Sequence, residues 1–275
     1  MLASEIYLPQ SLEEALDTLK RYPEALVYGG GTDILRKQAE TFIHFPREVL
    51  SIASLPELRQ VLLTERFVEI GAAVRLSEIL ELKENAVPEL LAQAIRGIST
   101  PTVRNLATIG GNLASRERFM DSWPALACLD ALVEMHDAEG ARWVNVNRLV
   151  DEGGHPALPG ASIISRVRIP LERWDVTALR KVGPRDCPAP ETAVFACAAK
   201  ADKGILSEFR LAFAGELALR PKDIESRLVG RRLPLDAKDR ASFGAEYRLS
   251  ARDLPQGLRI QFGTLVDGAL DLLAR

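Results

Sequence analysis

The chain has 275 residues, of which 47% are hydrophobic and 27% are charged, and its formal net charge is −3. This length suffices for two or three units with their own cores. The slight excess of acidic residues gives no reason to expect a nucleic-acid partner. No apolar run is long enough to cross a bilayer, and the first ten residues lack the apolar segment of a secretion signal, so the cytoplasm is the expected location.

The residue types that bind metals are scattered along the chain. The cysteines show no CxxC spacing and the histidines form no HExxH motif, so neither a zinc site nor an iron–sulfur cluster is expected. These residues are Cys128, Cys187, Cys197, His44, His136 and His155.

The first 55 residues predict a small βαβ-like lobe. Short apolar runs predict strands at Glu5 to Leu8, Ala25 to Tyr28 and Val49 to Ile52. Ser11 begins a helix as part of a capping box, and a second short helix is predicted from Asp33 to Gln38.

Residues 56–172 predict a second lobe with more strands. Apolar runs separated by turn residues indicate the strands, while Ser77, Pro88 and Ser122 begin helices. The stretch between Gly97 and Ser122 is predicted to be a loop. The predicted strands are Val61 to Leu63, Phe67 to Ile70, Leu132 to His136, Arg142 to Val146 and Ser162 to Ile169.

Residues 173–275 predict a C-terminal domain of sheet and helices. Asp202-Lys203-Gly204 joins two strands, Ala193 to Ala201 and Ile205 to Ala214, as a hairpin. A helix begins at Arg220-Pro221, and a final helix carries an apolar stripe from Leu258 to Leu273. The predicted fold class is α+β, with domains at 1–172 (lobes 1–55 and 56–172) and 173–275.

Two glycine-rich segments are the most informative motifs. Thr102 to Ala114 reads TVRNLATIGGNLA, and Leu26 to Leu35 reads LVYGGGTDIL. Adjacent glycines tolerate positive φ and let a ligand approach main-chain N–H groups, an arrangement that suits a phosphate or diphosphate. A Rossmann fingerprint fails because Ile34 occupies the place of its third glycine, and no GxxxxGK sequence exists for a P-loop.

These motifs together resemble a known family. GGGTDIL, RNLATIGGNL, Asp121, Pro124-Ala125-Leu126 and Leu129-Asp130-Ala131 match the FAD-binding medium subunits of molybdenum hydroxylases such as xanthine dehydrogenase and carbon monoxide dehydrogenase. The resemblance implies a two-lobed PCMH-type (vanillyl-alcohol-oxidase-like) FAD-binding domain. A C-terminal α+β domain of the carbon monoxide dehydrogenase flavoprotein type would follow it.

The resemblance also implies which residues bind FAD. The two glycine segments would hold the diphosphate, Asp121 would bond the adenosine–ribityl side, and Ile164 and Lys181 would approach the flavin ring. FAD is expected to be non-covalent, because no cysteine or histidine lies in the motifs. The implied cofactor-binding residues are Val27, Tyr28, Gly29, Gly30, Gly31, Thr32, Asp33, Ile34, Thr108, Ile109, Gly110, Gly111, Asn112, Asp121, Ile164 and Lys181.

The implied function is electron transfer. No nucleophile–base set or substrate-activating base is recognisable, which fits a chain whose flavin supplies the chemistry. Molybdopterin and 2Fe–2S clusters are expected on a large and a small partner subunit, and FAD would pass electrons to NAD or another acceptor. A stand-alone flavoprotein oxidase or reductase and a non-enzymatic nucleotide-binding scaffold remain as alternatives.

Several positions leave other interpretations open. Asp121 could cap the helix that begins at Ser122, and Lys181 could be a solvated side chain. Glu117-Arg118 stand where the family has Ser-Pro. In the segment that follows the last strand of the second lobe, Arg180 replaces an aromatic residue, whereas Lys181 and Arg185 match the family pattern.

Overall fold

A computed structural model describes residues 5–37, 46–119, 121–183 and 190–274 of the chain. It contains three sheets and three clusters of buried apolar residues, which confirms the predicted α+β class. The predicted helix end at Gln38, together with His44, Arg185 and Cys187, lies outside these ranges. Within them, no helix combines the length and apolar content needed to cross a bilayer.

The first sheet has three parallel strands in the order β1-β3-β2. This order is the βαβ arrangement predicted from the sequence. The first helix begins where predicted, because Ser11 Oγ accepts a hydrogen bond from the Glu14 amide at 3.2 Å. The elements are β1 (Glu5–Tyr7), α1 (Leu12–Arg21), β2 (Leu26–Tyr28), α2 (Thr32–Arg36) and β3 (Glu48–Ser51).

The second sheet has five strands in the order β4-β5-β8-β6-β7, all antiparallel to their neighbours. The helices that follow β5 supply much of the apolar cluster on one face of this sheet. The elements are β4 (Val61–Leu63), β5 (Phe67–Gly71), α3 (Leu76–Leu80), α4 (Glu89–Arg96), α5 (Pro101–Arg104), α6 (Ile109–Leu113), α7 (Ser122–Cys128), β6 (Leu132–Asp137), β7 (Gly140–Asn145) and β8 (Ile163–Pro170).

The prediction of a loop between Gly97 and Ser122 is wrong, because α5 and α6 lie there. Thr100 begins α5, with its side chain accepting from the Val103 amide at 3.4 Å and Pro101 at the first helical position. Thr108 begins α6 in the same way. Threonine caps and an N-terminal proline are recognised helix-start signals, but both helices are too short to show apolar periodicity.

The opposite face of the second sheet carries charge. Glu134 on β6 accepts hydrogen bonds from Ser165 Oγ at 2.5 Å and from Arg166 Nε at 2.8 Å. Arg166 also reaches Glu69 at 3.3 Å. Burial alone would raise the pKa of Glu134, but the Ser165 and Arg166 hydrogen bonds outweigh it and the pKa lies below its ordinary value.

The third sheet has four strands in the order β12-β11-β10-β9. One face packs under three helices, while alanines on the other face, among them Ala196 and Ala212, join the core of the second sheet. The elements are β9 (Val176–Val182), β10 (Ala193–Asp202), β11 (Ile205–Ala214), β12 (Ala218–Leu219), α8 (Lys222–Leu228), α9 (Ala237–Ser250) and α10 (Gln256–Leu272).

Ion pairs with half-buried Asp130 join the turn after α7 to the C-terminal part of the chain. Arg220 Nη1 lies 2.7 Å from Asp130 Oδ1, and its Nε lies 3.2 Å from Glu225 Oε1. Arg210 reaches the same Asp130 carboxylate at 3.1 Å and the Cys128 carbonyl at 3.0 Å. These contacts fix the end of α7 against the third sheet, and the cavity described next lies beside α7.

Candidate functional site

A cavity of about 880 Å³ opens where the three sheets meet. Its wall is formed by the glycine segment after β2, the glycine segment of α6, the start of β8 and the end of β9. This volume falls within the range of about 300–1,000 Å³ that is typical of cofactor and ligand sites.

Fourteen of the sixteen predicted residues line this cavity. The two exceptions are Tyr28 and Ile109. The Ile109 side chain is fully buried in the core of the second sheet and does not line the cavity, so its role in FAD binding stays a prediction. Tyr28 instead turns its ring toward Gly31, where a Cβ atom would collide with it.

The first glycine segment offers open main-chain donors. Among the described residues, the amides of Gly29, Gly30 and Gly31 have no hydrogen-bond acceptor. Thr32 and Asp33 begin α2, where the first N–H groups have no acceptor within the helix. Gly31 has φ of 70° and changes the direction of the chain just before α2. Successive donors of this kind form a concave anion-binding surface.

The two glycine segments are in direct contact. A Cβ atom on Gly30 would collide with the carbonyl of Leu106, and one on Gly29 would lie 3.1 Å from Thr108 Oγ1. The absence of side chains at these positions therefore lets the first sheet approach α6. The two segments, some eighty residues apart in sequence, thus line the same cavity.

The second glycine segment does not present free amides as expected. Gly110 and Gly111 lie in the first turn of α6. The Gly110 amide donates to the Ala72 carbonyl at 2.9 Å, and the Gly111 amide donates to Thr108 Oγ1 at 3.1 Å. A Cβ atom on Gly110 would lie 2.5 Å from the Ala72 Cβ, so this glycine permits packing against the sheet rather than close approach of a ligand.

Asp121 and Lys181 form an ion pair on the cavity wall. Lys181 Nζ lies 2.5 Å from Asp121 Oδ2, and the side chains are only 14% and 12% exposed. The interpretation of Lys181 as a solvated side chain is therefore wrong. The Asp121 side chain makes no capping hydrogen bond to the described part of α7, so the capping interpretation is also wrong.

A turn that sequence reasoning missed contributes to the same wall. Ile98 and Ser99, between α4 and α5, line the cavity, and Ser99 has φ of 43°. Arg104 Nη1 donates to the carbonyls of Ile98 at 2.7 Å and Ser99 at 3.1 Å. Lys181 Nζ donates to the Gly97 carbonyl at 3.3 Å. A non-glycine residue with positive φ cannot be identified from a single sequence.

The residues that depart from the family pattern have specific partners. Glu117 Oε1 lies 3.2 Å from Lys37 Nζ, a contact that joins the segment between α6 and α7 to the end of α2. Arg118 is only 7% exposed, and its Nη2 donates to the Thr192 carbonyl at 2.5 Å. Its burial, together with the nearby Arg36 charge, lowers the Arg118 pKa. Both residues therefore connect parts of the structure that surround the cavity.

Comparison with known proteins identifies the family of the chain. Residues 2–172 match the family model described as the FAD binding domain in molybdopterin dehydrogenase. The chain is 31% identical over 210 residues to the putative xanthine dehydrogenase FAD-binding subunit of Escherichia coli K12, covering 74% of this chain and 70% of that protein. It is 28% identical over 249 residues to the nicotinate dehydrogenase FAD-subunit of Eubacterium barkeri, covering 86% of this chain and 82% of that protein.

A solved structure of a known protein has the same fold as this chain. Carbon monoxide dehydrogenase from Hydrogenophaga pseudoflava superimposes with a TM-score of 0.82 at 23% identity, covering 98% of this chain and 96% of that chain. The chain belongs to the family of FAD-binding domains of molybdopterin dehydrogenases, and it is an oxidoreductase subunit. The predictions of the fold type and of an FAD-binding subunit of this family are confirmed.

Proposed function

We propose that this chain holds FAD non-covalently in the cavity and passes electrons from 2Fe–2S clusters on a small partner subunit to NAD or another acceptor. The large partner subunit would carry the molybdopterin and oxidise the substrate. The observation that supports the site most directly is the row of open amides from Gly29 to Asp33, which lines the same cavity as the Asp121–Lys181 ion pair. When bound, FAD supplies the redox chemistry.

The chain's own residues would bind and orient the cofactor. The open amides and the start of α2 suit the diphosphate, because they are donors with no competing acceptor in the described chain. Lys181 is the cation that would neutralise negative charge on a reduced ring, and Asp121 and the Gly97 carbonyl hold its ammonium in place. Ile164, at the start of β8, adds an apolar surface to the wall.

The division into domains at 1–172 and 173–275 is part of the proposal. Lys181 lies on β9, beyond residue 172, and yet it lines the cavity. The C-terminal domain would therefore complete the cofactor site in addition to packing against it.

Two measurements test the proposed function. Acid precipitation of the purified chain should release intact FAD into the supernatant, whereas flavin in the precipitate would exclude non-covalent binding. The flavin-loaded chain should also turn over no purine, aldehyde or aromatic heterocycle by itself. It should restore acceptor reduction when mixed with its molybdopterin and iron–sulfur partners. Steady turnover by the single chain would identify a stand-alone oxidase instead.

A further inference from the structure

The turn at Gly97 to Ser99 is held from two sides. Arg104, at the end of α5, donates to the carbonyls of Ile98 and Ser99. Lys181, on β9 of the third sheet, donates to the Gly97 carbonyl from the other side. The same Lys181 ammonium is paired with Asp121. Arg104 and Lys181 thus act on three consecutive carbonyls of one cavity-lining turn.

The turn needs such support because of its backbone. Ser99 has φ of 43°, a region that side chains with a Cβ atom adopt at a cost. A conformation of this kind persists when surrounding contacts fix it. A guanidinium group is suited to this task, since its donors are rigidly arranged and it stays charged at all physiological pH values.

We infer that Arg104 is a positioning residue for the flavin site, acting through the Gly97–Ser99 turn on the Lys181 ammonium. This inference rests on the proposed function, because it assumes that Lys181 faces the flavin ring. Without Arg104, the Gly97 carbonyl is no longer fixed, and its hydrogen bond to the Lys181 ammonium weakens relative to the ion pair with Asp121. The ammonium then moves toward Asp121, and its stabilisation of negative charge on the reduced ring decreases.

The first test uses the apo-protein and does not depend on FAD. In Arg104→Met, hydrogen exchange at residues 97–99 should become at least tenfold faster than in the wild type. Arg96→Met is the matched control, because Arg96 lies at the end of α4, just before the turn, and its side chain pairs with exposed Glu89 instead of the turn. Unchanged exchange in Arg104→Met, or an equal increase in Arg96→Met, would overturn the inference.

The second test measures the flavin midpoint potential in the loaded protein. The potential should fall in Arg104→Met and in Lys181→Met, and the double variant should match Lys181→Met, because Arg104 acts through Lys181. The midpoint potential of Arg104→Lys should lie between those of the wild type and Arg104→Met. If Arg104→Met does not fold, the comparison of Arg104→Lys with the wild type tests the inference. A wild-type potential in both Arg104 variants, or additive shifts in the double variant, would contradict the inference.

The two proposals can fail separately. A wild-type chain that takes up no FAD refutes the proposed function, while the exchange experiment still decides whether Arg104 fixes the turn. A chain that binds FAD with a potential insensitive to Arg104 retains its proposed function and loses this inference.

Discussion

Lys181 Nζ lies 2.5 Å from Asp121 Oδ2, so a strand of the third sheet and the residue that precedes α7 share a nearly buried ion pair. Sixty residues separate the two in sequence. Removing one partner of such a pair leaves the other charged group without compensation in a poorly hydrated place. The pair therefore contributes to the stability of the protein as well as to the cofactor site.

Asp121→Asn and Lys181→Met should each destabilise the apo-protein, and the double variant should lose less than the sum. We expect a coupling energy of about 1–3 kcal/mol, because the two groups are in direct contact. Urea unfolding of the four proteins measures it. Asp17 and Lys20 form an exposed pair that serves as the control, for which the coupling should stay below about 1 kcal/mol. Additive effects at Asp121 and Lys181 would show that the contact is not formed.

Gly110→Ala should destabilise the chain even without FAD. The new methyl group would lie 2.5 Å from the Ala72 Cβ and 2.9 Å from its carbonyl oxygen. Such overpacking costs about 1–3 kcal/mol, measurable as a lower urea midpoint. Gly257→Ala in α10 is the control, because a Cβ there has no neighbour within 4 Å and alanine favours helices. An unchanged midpoint for Gly110→Ala would mean that α6 packs less closely on the sheet.

Gly31→Ala should weaken FAD binding by at least about tenfold. The substitution forces a side chain into φ of 70° against the Tyr28 ring and so shifts the open amides, each of which is worth about 1.5–3 kcal/mol with a charged acceptor. Gly204→Ala is the matched control, since its φ is 76° with open space around it in the β10–β11 hairpin. Fluorescence titration of apo-protein with FAD measures both. If Gly31→Ala bound FAD as tightly as the wild type, the diphosphate would lie away from this segment.

Glu134→Gln should destabilise the protein at neutral pH and much less in acid. The folded pKa of Glu134 is lowered, so the unfolded chain takes up the proton first as pH falls. The carboxylate's contribution is therefore complete above the unfolded pKa, about 4.3, and is lost as pH falls through the folded pKa. Loss of the charged hydrogen bonds should cost about 1–3 kcal/mol at pH 7.

Unfolding of Glu134→Gln and wild type at several pH values from 7 to about 3 checks this prediction. Asp253→Asn is a suitable control, because Asp253 is exposed and pairs only loosely with Arg252 at 3.7 Å. A difference between wild type and Glu134→Gln that stays constant over this range would show that the stabilisation does not depend on the charge.

Much of the fold could be predicted from local patterns. The hairpin of β10 and β11 and the parallel strands of the first sheet follow from apolar runs bounded by turn residues. The family resemblance predicted that both glycine segments bind the diphosphate, but it did not predict their direct contact. Strand β9 was missed, although it carries Lys181. Helix α9 was also missed, because it buries only Phe243, Gly244 and Tyr247 and therefore shows little of the periodicity that identifies a helix.

The contacts that shape the cavity could not be predicted, because they depend on distant pairs. Lys181 with Asp121, and Arg118 with the Thr192 carbonyl, join residues sixty or more positions apart. The positive φ of Ser99 has no sequence signal, and the Gly110 amide could not be assigned to Ala72 before the register of β5 was known. Local patterns identify elements, whereas tertiary packing decides which donors remain open.

The position of Lys181 on β9 has a consequence for exchanging parts between related proteins. The matched FAD-binding region ends at residue 172, but a cation on the cavity wall comes from residue 181. Consider a chimera that joins residues 1–172 of this chain to the C-terminal part of a relative. It would keep both glycine segments of this chain, whereas the residue that pairs with Asp121 would come from the relative. Under the proposed role of Lys181, recombination near residue 172 would change the redox properties of the flavin and leave the proposed diphosphate-binding segments unchanged.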